Sequence, residues 1–235
     1  MNTPRIGTAG WSIPKQHAAA FPASGSHLER YAQRFTAVEI NSSFYRPHRR
    51  ATYERWAATV PENFAFAVKA PRAITHDARL AGAEAVLDRF LGEASGLGGK
   101  LGPLLFQLPP SFAFDARVVR AFLKTLRAHH DGAVAWEPRH ATWFTARAAD
   151  LLAEHRIARV AADPAVVPAA AEPGGWSGLQ YCRLHGAPRV YYSDYSADDI
   201  ARYAVRMTAR SWCIFDNTAL GAATANALAL TKALS

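Results

Sequence analysis

One cycle repeats along the whole chain: a short apolar run, a turn, then a stretch with helical spacing. The apolar runs are RIGTAGW (5–11), AVEINSSF (37–44), FAFAVKAPR (64–72), LGPLLFQLP (101–109), AVAWEPR (133–139), ARVAADP (158–164), GLQYCRLHG (178–186) and SWCIFDNT (211–218). Helical stretches follow at 27–35, 51–60, within 79–97, near 115–129, at 146–156, at 197–208 and from about 221. A strand followed each time by a helix builds parallel βαβ units, because a parallel neighbour is reached only through a long crossover. Eight such units in 235 residues fit a single (β/α)8 TIM barrel, a fold of about 250 residues. A doubly wound open sheet gives the same alternation and is the structural rival. One unit is irregular. AVVPAAAEPGGWS (165–177) carries two prolines and two glycines, so the crossover between strands six and seven is expected to lack a full helix.

Alternate residues of a barrel strand face the interior. Apolar partners set the phase. Val38 and Ile40 face the helices and leave Glu39 and Asn41 inward; Phe66 and Val68 leave Lys69. Leu104, Phe106 and Leu108 leave Gln107, while Val134 and Trp136 leave Glu137 and Arg139. Cys182 and Leu184 leave Tyr181, Arg183 and His185. Asp163 closes the sixth strand before Pro164, and it too is expected inward. Asp216 and Asn217 have opposite parity, and the pattern does not say which faces in. One such residue alone is most simply a satisfied buried polar group. Polar residues closing strands two to eight, all at one end, point to a shared site at the C-terminal mouth, where TIM-barrel active sites form.

These stretches resemble the DUF72 (YecE-like) family, TIM-barrel proteins of uncharacterised function. The matching segments are GTAGWS (7–12), VEINSSFYR (38–46), FAFAVKAPRAITHD (64–77), LGPLLFQLPPSF (101–112), WEPRHATWF (136–144) and YCRLHG (181–186), then a closing strand with Asn217 before an Ala-rich helix. The resemblance runs over nearly the whole chain. It implies one barrel domain over 1–235 and supplies no agreed reaction. One departure stands out: the family's Phe-Asn-Asn is FDN here, with Asp216 for the first Asn. That change adds a negative charge either near the site or in the shell behind it.

Three functions compete. The first is an enzyme acting on a small anionic or polyhydroxylated molecule bearing phosphate, carboxylate or sugar. Lys69, Arg139 and Arg183 would hold the anion, since guanidinium binds such groups bidentately. Glu137 would be the general acid or base, Asp163 its charged partner and Glu39 the alternative base. Flanked by Gln107 and Asp163, Glu137 is expected to have a raised pKa unless Arg139 reaches back to it. Asn41, Gln107, His185, Asn217 and His76 complete the binding set, with Trp11 and Tyr45 as an aromatic wall beside Trp143 and Phe144. His140 also lies in a mouth loop, to touch substrate or to order the loop. The second function is a nucleic-acid-binding or endonuclease-like barrel. The net charge of +8 and the pI near 9.8 favour anionic partners, although arginine far outnumbers lysine, as genome composition alone can produce. RPHRR (46–50) supplies Arg46, Arg49 and Arg50 for weak, salt-sensitive phosphate contacts. The third is a non-catalytic ligand-binding barrel.

No zinc signature occurs, and the basic residues entering the mouth disfavour a divalent metal; no other cofactor is indicated. GLGGK (96–100) reverses the Walker order and reads as a helix-ending turn at the barrel base. Cys182 and Cys213 read as reduced core residues, and the N-terminus lacks a signal-peptide pattern, so a cytoplasmic protein is expected. No run of about 18 apolar residues suggests a membrane span.

Overall fold

The computed structural model describes residues 3–235. The elements, in order, are β1 (Arg5–Thr8), α1 (His27–Ala32), β2 (Ala37–Ile40), α2 (Arg50–Thr59), β3 (Ala65–Lys69), α3 (Glu84–Ala94), β4 (Leu101–Gln107), α4 (Ala116–His129) and β5 (Val134–Glu137). There follow α5 (Ala146–Glu154), β6 (Ile157–Arg159), β7 (Ala161–Asp163), β8 (Gly174–Gly175), β9 (Gln180–Leu184), α6 (Ala197–Ala204), β10 (Ser211–Phe215) and α7 (Ala222–Ala233). Side-chain caps begin several helices where the sequence supplies them. Ser26 with Glu29, and Ser196 with Asp199, form capping boxes on α1 and α6, and Asp115 and Thr145 cap α4 and α5.

All the barrel pairings are parallel. One sheet runs β1-β10-β9-β7 and the other β2-β3-β4-β5-β6-β8. The first and last barrel strands pair from Arg5–Trp212 to Thr8–Phe215, as the barrel reading requires. The expected sixth strand is one continuous segment, divided at Val160: β6 pairs with β5, and β7 pairs with β9. The remaining seam, between β1 and β2, holds one bridge at Ala9–Glu39, and the Gly10 N–H donates to the Glu39 carbonyl (2.8 Å). A side chain from α1 reinforces it. The Tyr31 hydroxyl accepts from Thr8 N (2.8 Å) and donates to Ala37 O (3.2 Å). Gly7 fits this seam because any Cβ there would lie 2.1 Å from the Ala37 carbonyl. The crossover after β7 lacks an α-helix, as its prolines and glycines imply: a 3-10 turn (Pro168–Ala171) leads to β8, which pairs antiparallel with β6.

Two apolar layers result. The outer one, between strands and helices, contains Val38, Phe66, Val68, Phe106, Trp136 and Phe215. The lumen layer is half alanine (Ala37, Ala65, Ala67, Ala135, Ala158 and Ala162), with larger residues such as Leu105, Tyr181 and Trp212. Small residues on those strands leave room for the large ones contributed by β9 and β10. Trp212 crosses the lumen floor to Gly102, where a Cβ would sit 2.5 Å from its ring, and Tyr181 stacks on Trp212 at 6.2 Å. At the barrel base, Lys100 of the GLGGK turn donates to Ala57 O (2.8 Å) and Val60 O (2.7 Å), capping α2. Cys182 and Cys213 are free and buried, and burial pushes the Cys182 thiol up to about 11.

Candidate functional site

Arg183 on β9 occupies the centre of the lumen and is fully buried. Its guanidinium grips Glu39 of β2 bidentately, Nε to Oε2 at 2.9 Å and Nη2 to Oε1 at 2.6 Å. It also donates to Glu137 of β5 at 3.1 Å and lies 3.1 Å from Asp216, just beyond β10. Below, the Tyr181 hydroxyl donates to Glu39 at 2.8 Å. Above, the His185 ring spans two carboxylates, Nδ1 to Asp216 at 2.9 Å and Nε2 to Glu137 at 2.8 Å. Arg139 reaches back along β5 to Glu137 (2.6 Å) and comes within 2.7 Å of His185 Nε2. Nε2 therefore stands between a donor and an acceptor: a proton on it bonds Glu137, and a lone pair on it accepts from Arg139.

The electrostatics follow from this packing. Burial alone would raise the Glu137 pKa; Arg139, then Arg183 and His185, outweigh it and hold the carboxyl well below its ordinary range. Burial likewise opposes ionisation of Asp216, and Arg183 and His185 prevail. Arg183 is pushed above the ordinary guanidinium value, because Asp216, Glu39 and Glu137 overcome the cost of burying it. Lys69 behaves in the opposite sense. Burial, then repulsion from Arg183, lower its ammonium to about 8. It is 5% exposed, its Nζ lies 4.2 Å from the Phe44 ring centroid, and no carboxylate stands within ion-pair distance among the described residues.

The structure brings Glu39, Lys69, Glu137, Arg139, Arg183 and His185 into one cluster, with Gln107 beside Glu137 in register. Asn41 follows β2, and its Oδ1 is buried without a partner, as is Arg139 Nε. His76 packs edge-on to Phe44 at 5.0 Å, and partial burial and then Lys69 lower its pKa.

Four expectations need correction. Glu137 does not have a raised pKa: it is a fully buried ion-paired carboxylate, because Arg139 does reach back to it. Asp163 does not enter the lumen. It lies opposite Leu184 in register, on the helix side, where its Oδ2 accepts from the Tyr195 hydroxyl at 2.7 Å. Asn217 also faces away from the mouth and donates to Ser193 O (2.9 Å) and Asn226 Oδ1 (2.8 Å), so Asp216 is the inward residue of FDN. Trp11 packs edge-on against Trp56 of α2 at 5.0 Å, in the outer layer.

The other loop aromatics divide. Tyr45 is 73% exposed beside Phe44, whereas Trp143 is buried and donates to Phe112 O (2.8 Å). Phe144 lies under Arg159. His140 caps its own turn through Thr142 N (3.3 Å). Sequence reasoning missed Tyr191, which is half-exposed over the His185 ring at 6.0 Å with φ +71°. Burial and the Asp216 charge raise its pKa. No strand periodicity reaches this loop; the aromatic run VYYSDY (190–195) was the available signal.

The arrangement leaves little for a metal. Glu39, Glu137 and Asp216 already direct their oxygens at Arg183, Arg139 and His185, and a hard cation needs those lone pairs. Among the described residues no group of three His, Cys, Asp or Glu stands in a metal-holding arrangement, and no helix is long and apolar enough to cross a membrane.

Residues 5–235 match the family described as "Protein of unknown function DUF72". The chain is 32% identical over 151 residues to UPF0759 protein YunF of Bacillus subtilis (strain 168), covering 60% of this chain and 52% of that protein. It is 30% identical over 140 residues to UPF0759 protein YecE of Escherichia coli (strain K12), covering 59% and 49% respectively. The match thus spans about half the length of these relatives. Among solved structures, a DUF72 family protein from Enterococcus faecalis V583 superposes with a TM-score of 0.81 at 23% identity, covering 98% of this chain and 94% of that one. Another, from Thermotoga maritima MSB8, gives 0.77 at 24% identity and 99% coverage of both chains. The sequence match over the length of the barrel and the shared fold agree: this chain belongs to the DUF72 family.

Proposed function

We propose that the chain is an enzyme that takes a small anionic molecule at the C-terminal mouth of the barrel and uses Lys69 for proton transfer. The observation that carries this reading is the state of Lys69. It is an almost fully buried amine, without an ion-pair partner among the described residues, held at about 8. A group that gives up its proton near working pH suits general acid–base chemistry, whereas Glu137, locked in ion pairs, does not. Arg139 and the unpaired Asn41 Oδ1 are further polar groups on the same ring of strand ends, suited to a phosphate, carboxylate or sugar hydroxyl. In this reading Glu137 and Asp216 orient His185 and Arg139, and Arg183 fixes both carboxylates from below.

The test is an unbiased one. A small-metabolite extract is incubated with the chain and followed by mass spectrometry. Consumption of an anionic metabolite by the wild type, reduced about 10²-fold or more in Lys69→Met, is the expected result. A metabolite retained on the protein but never consumed would favour the non-catalytic binding barrel instead. Turnover unchanged in Lys69→Met would remove Lys69 from the chemistry.

A further inference from the structure

A cavity of about 280 Å³ opens beside the mouth, between the loops that follow β2 and β3 and one face of α3. It lies just below the usual range for small-molecule pockets, about 300–1,000 Å³, so the ligand it suits is small. Helix α3 contributes Val86, Arg89, Phe90 and Glu93, spaced i, i+3, i+4 and i+7 along a single stripe. Such a stripe on a barrel helix ordinarily packs against a neighbour. Here Phe90 is buried, but Val86 is 38% exposed and Tyr45, also lining the cavity, is 73% exposed. Phe44 completes the apolar wall.

The rim is basic. Arg46, Arg72 and Arg89 line it against the single acid Glu93, so the lining carries a net charge of +2 (three cations less one anion). Arg72 pairs with Asp77 at 3.0 Å and Arg89 with Glu93 at 2.8 Å; both arginines are exposed. Such pairs are weak and exchange partners readily. Arg46 has no side-chain partner within ion-pair distance among the described residues. An apolar slot edged by guanidinium groups is complementary to one kind of ligand: a flat apolar group carrying an anion.

We propose that this cavity binds a small amphipathic anion. Its apolar ring lies among Phe44, Tyr45, Val86 and Phe90, and its phosphate, sulfonate or carboxylate meets Arg46 and Arg89. The site is separate from the mouth and does not depend on the proposed catalytic role of Lys69. The two adjoin at the Phe44 ring, which Lys69 covers at 4.2 Å, and at Ser43, whose hydroxyl donates to Lys69 O (2.6 Å).

The experiment titrates the full chain with 1-naphthyl phosphate by calorimetry, alongside 1-naphthol and inorganic phosphate. The ester binds at least about tenfold more tightly than either half, because both the ring and the charge are used. Arg46→Gln and Val86→Glu, both at exposed positions that leave the melting temperature unchanged, each weaken it by about fivefold or more. Lys69→Met leaves the affinity unaltered. Equal affinity for 1-naphthol would reduce the site to a greasy patch, and equal affinity for inorganic phosphate to a bare anion site; either overturns the proposal. Absence of binding overturns it as well. Loss of binding in Lys69→Met with none in Val86→Glu would move the ligand into the mouth and overturn it, while leaving the catalytic reading intact.

Discussion

Replacing Arg183 by methionine is the sharpest perturbation available, because it keeps an unbranched apolar stem and removes the guanidinium with its charge. Arg183 makes three contacts to Glu39, one to Glu137 and one to Asp216, and all four side chains are buried. Glu137 would keep Arg139 and His185, and Asp216 would keep His185. Glu39 would keep only the Tyr181 hydroxyl. Breaking a buried pair by removing one partner costs about 3–5 kcal/mol. That is a large share of a typical total of about 5–15 kcal/mol, so the variant should unfold at markedly lower urea. The pH dependence gives a second signature. In the wild type the depressed Glu137 and Asp216 contribute stability that is fully present above their unfolded values, about 4, and is lost as pH falls through their folded values. In the variant, buried carboxyls without their cation take up protons on folding. Their contribution is best below about pH 4 and is lost as pH rises toward their new, raised values. Urea unfolding at intervals from pH 4 to 8 therefore gives a variant profile that falls away from the wild type's as pH rises, the lowered histidines such as His76 adding the same upward slope to both. Adding Glu39→Gln should recover part of the loss, because it removes a stranded charge. A loss below about 1 kcal/mol, or parallel pH profiles, would refute the view of Arg183 as the counter-charge of the lumen.

The Lys69 amine, at about 8, lies below its unfolded value of about 10.4, so the unfolded chain holds the extra proton between these limits and stability should rise with pH there. Lys69→Met removes that rise, and urea unfolding of both proteins at pH 7.5 and 10 measures it; equal slopes would contradict the shift. Asp163→Ala costs about 1 kcal/mol, because the Tyr195 hydroxyl loses its 2.7 Å acceptor and keeps the longer bond to Asp163 O (3.4 Å) and the Gly186 N–H, yet it leaves any mouth ligand's affinity unchanged; weakened binding would return Asp163 to the site. Nucleic-acid binding through the exposed Arg46, Arg49 and Arg50 is expected to be weak, with log affinity falling against log salt with a slope of about −2 to −3 for three phosphate contacts. Tight binding that survives high salt would argue for a reader of bases instead.

Much of the cluster was legible because bulky apolar residues mark strand phase. Val38 and Ile40 placed Glu39, Phe66 and Val68 placed Lys69, and Cys182 and Leu184 placed Arg183 and His185. The same logic failed where the markers were weak. IARVAAD (157–163) has alanine on both faces, and the chain changes sheets at Val160, so nothing in it fixed the direction of Asp163. FDN offered two polar residues in succession; Phe215, packed edge-on against Tyr195 at 6.0 Å, decides that Asp216 turns inward. The ionisation of Glu137 depended on how far Arg139, two residues on, bends back along its own strand. Spacing places those two side chains on one face but does not say whether they touch. The barrel itself was the easiest part, since eight strand–helix cycles at this length leave few alternatives.

The two seams carry a mechanical consequence. At one, β1 and β2 meet through a single bridge and the Tyr31 hydroxyl; at the other, the backbone crosses between sheets at Val160. The barrel is thus two half-shells with few ladder bonds between them. Arg183, His185, Tyr181 and Asp216 belong to one shell, and Glu39, Glu137, Arg139 and Lys69 to the other. Most of the lumen's hydrogen bonds therefore run from shell to shell, and the charged cluster is the clasp that holds the halves closed. A clasp of ions in a dry interior is brittle: water that enters a parted seam screens the same attractions that would draw the halves together again. Amide exchange is accordingly expected to start along β1 and β2 and to reach β9 and β10 only when the clasp opens as a unit, which hydrogen-exchange measurements would show.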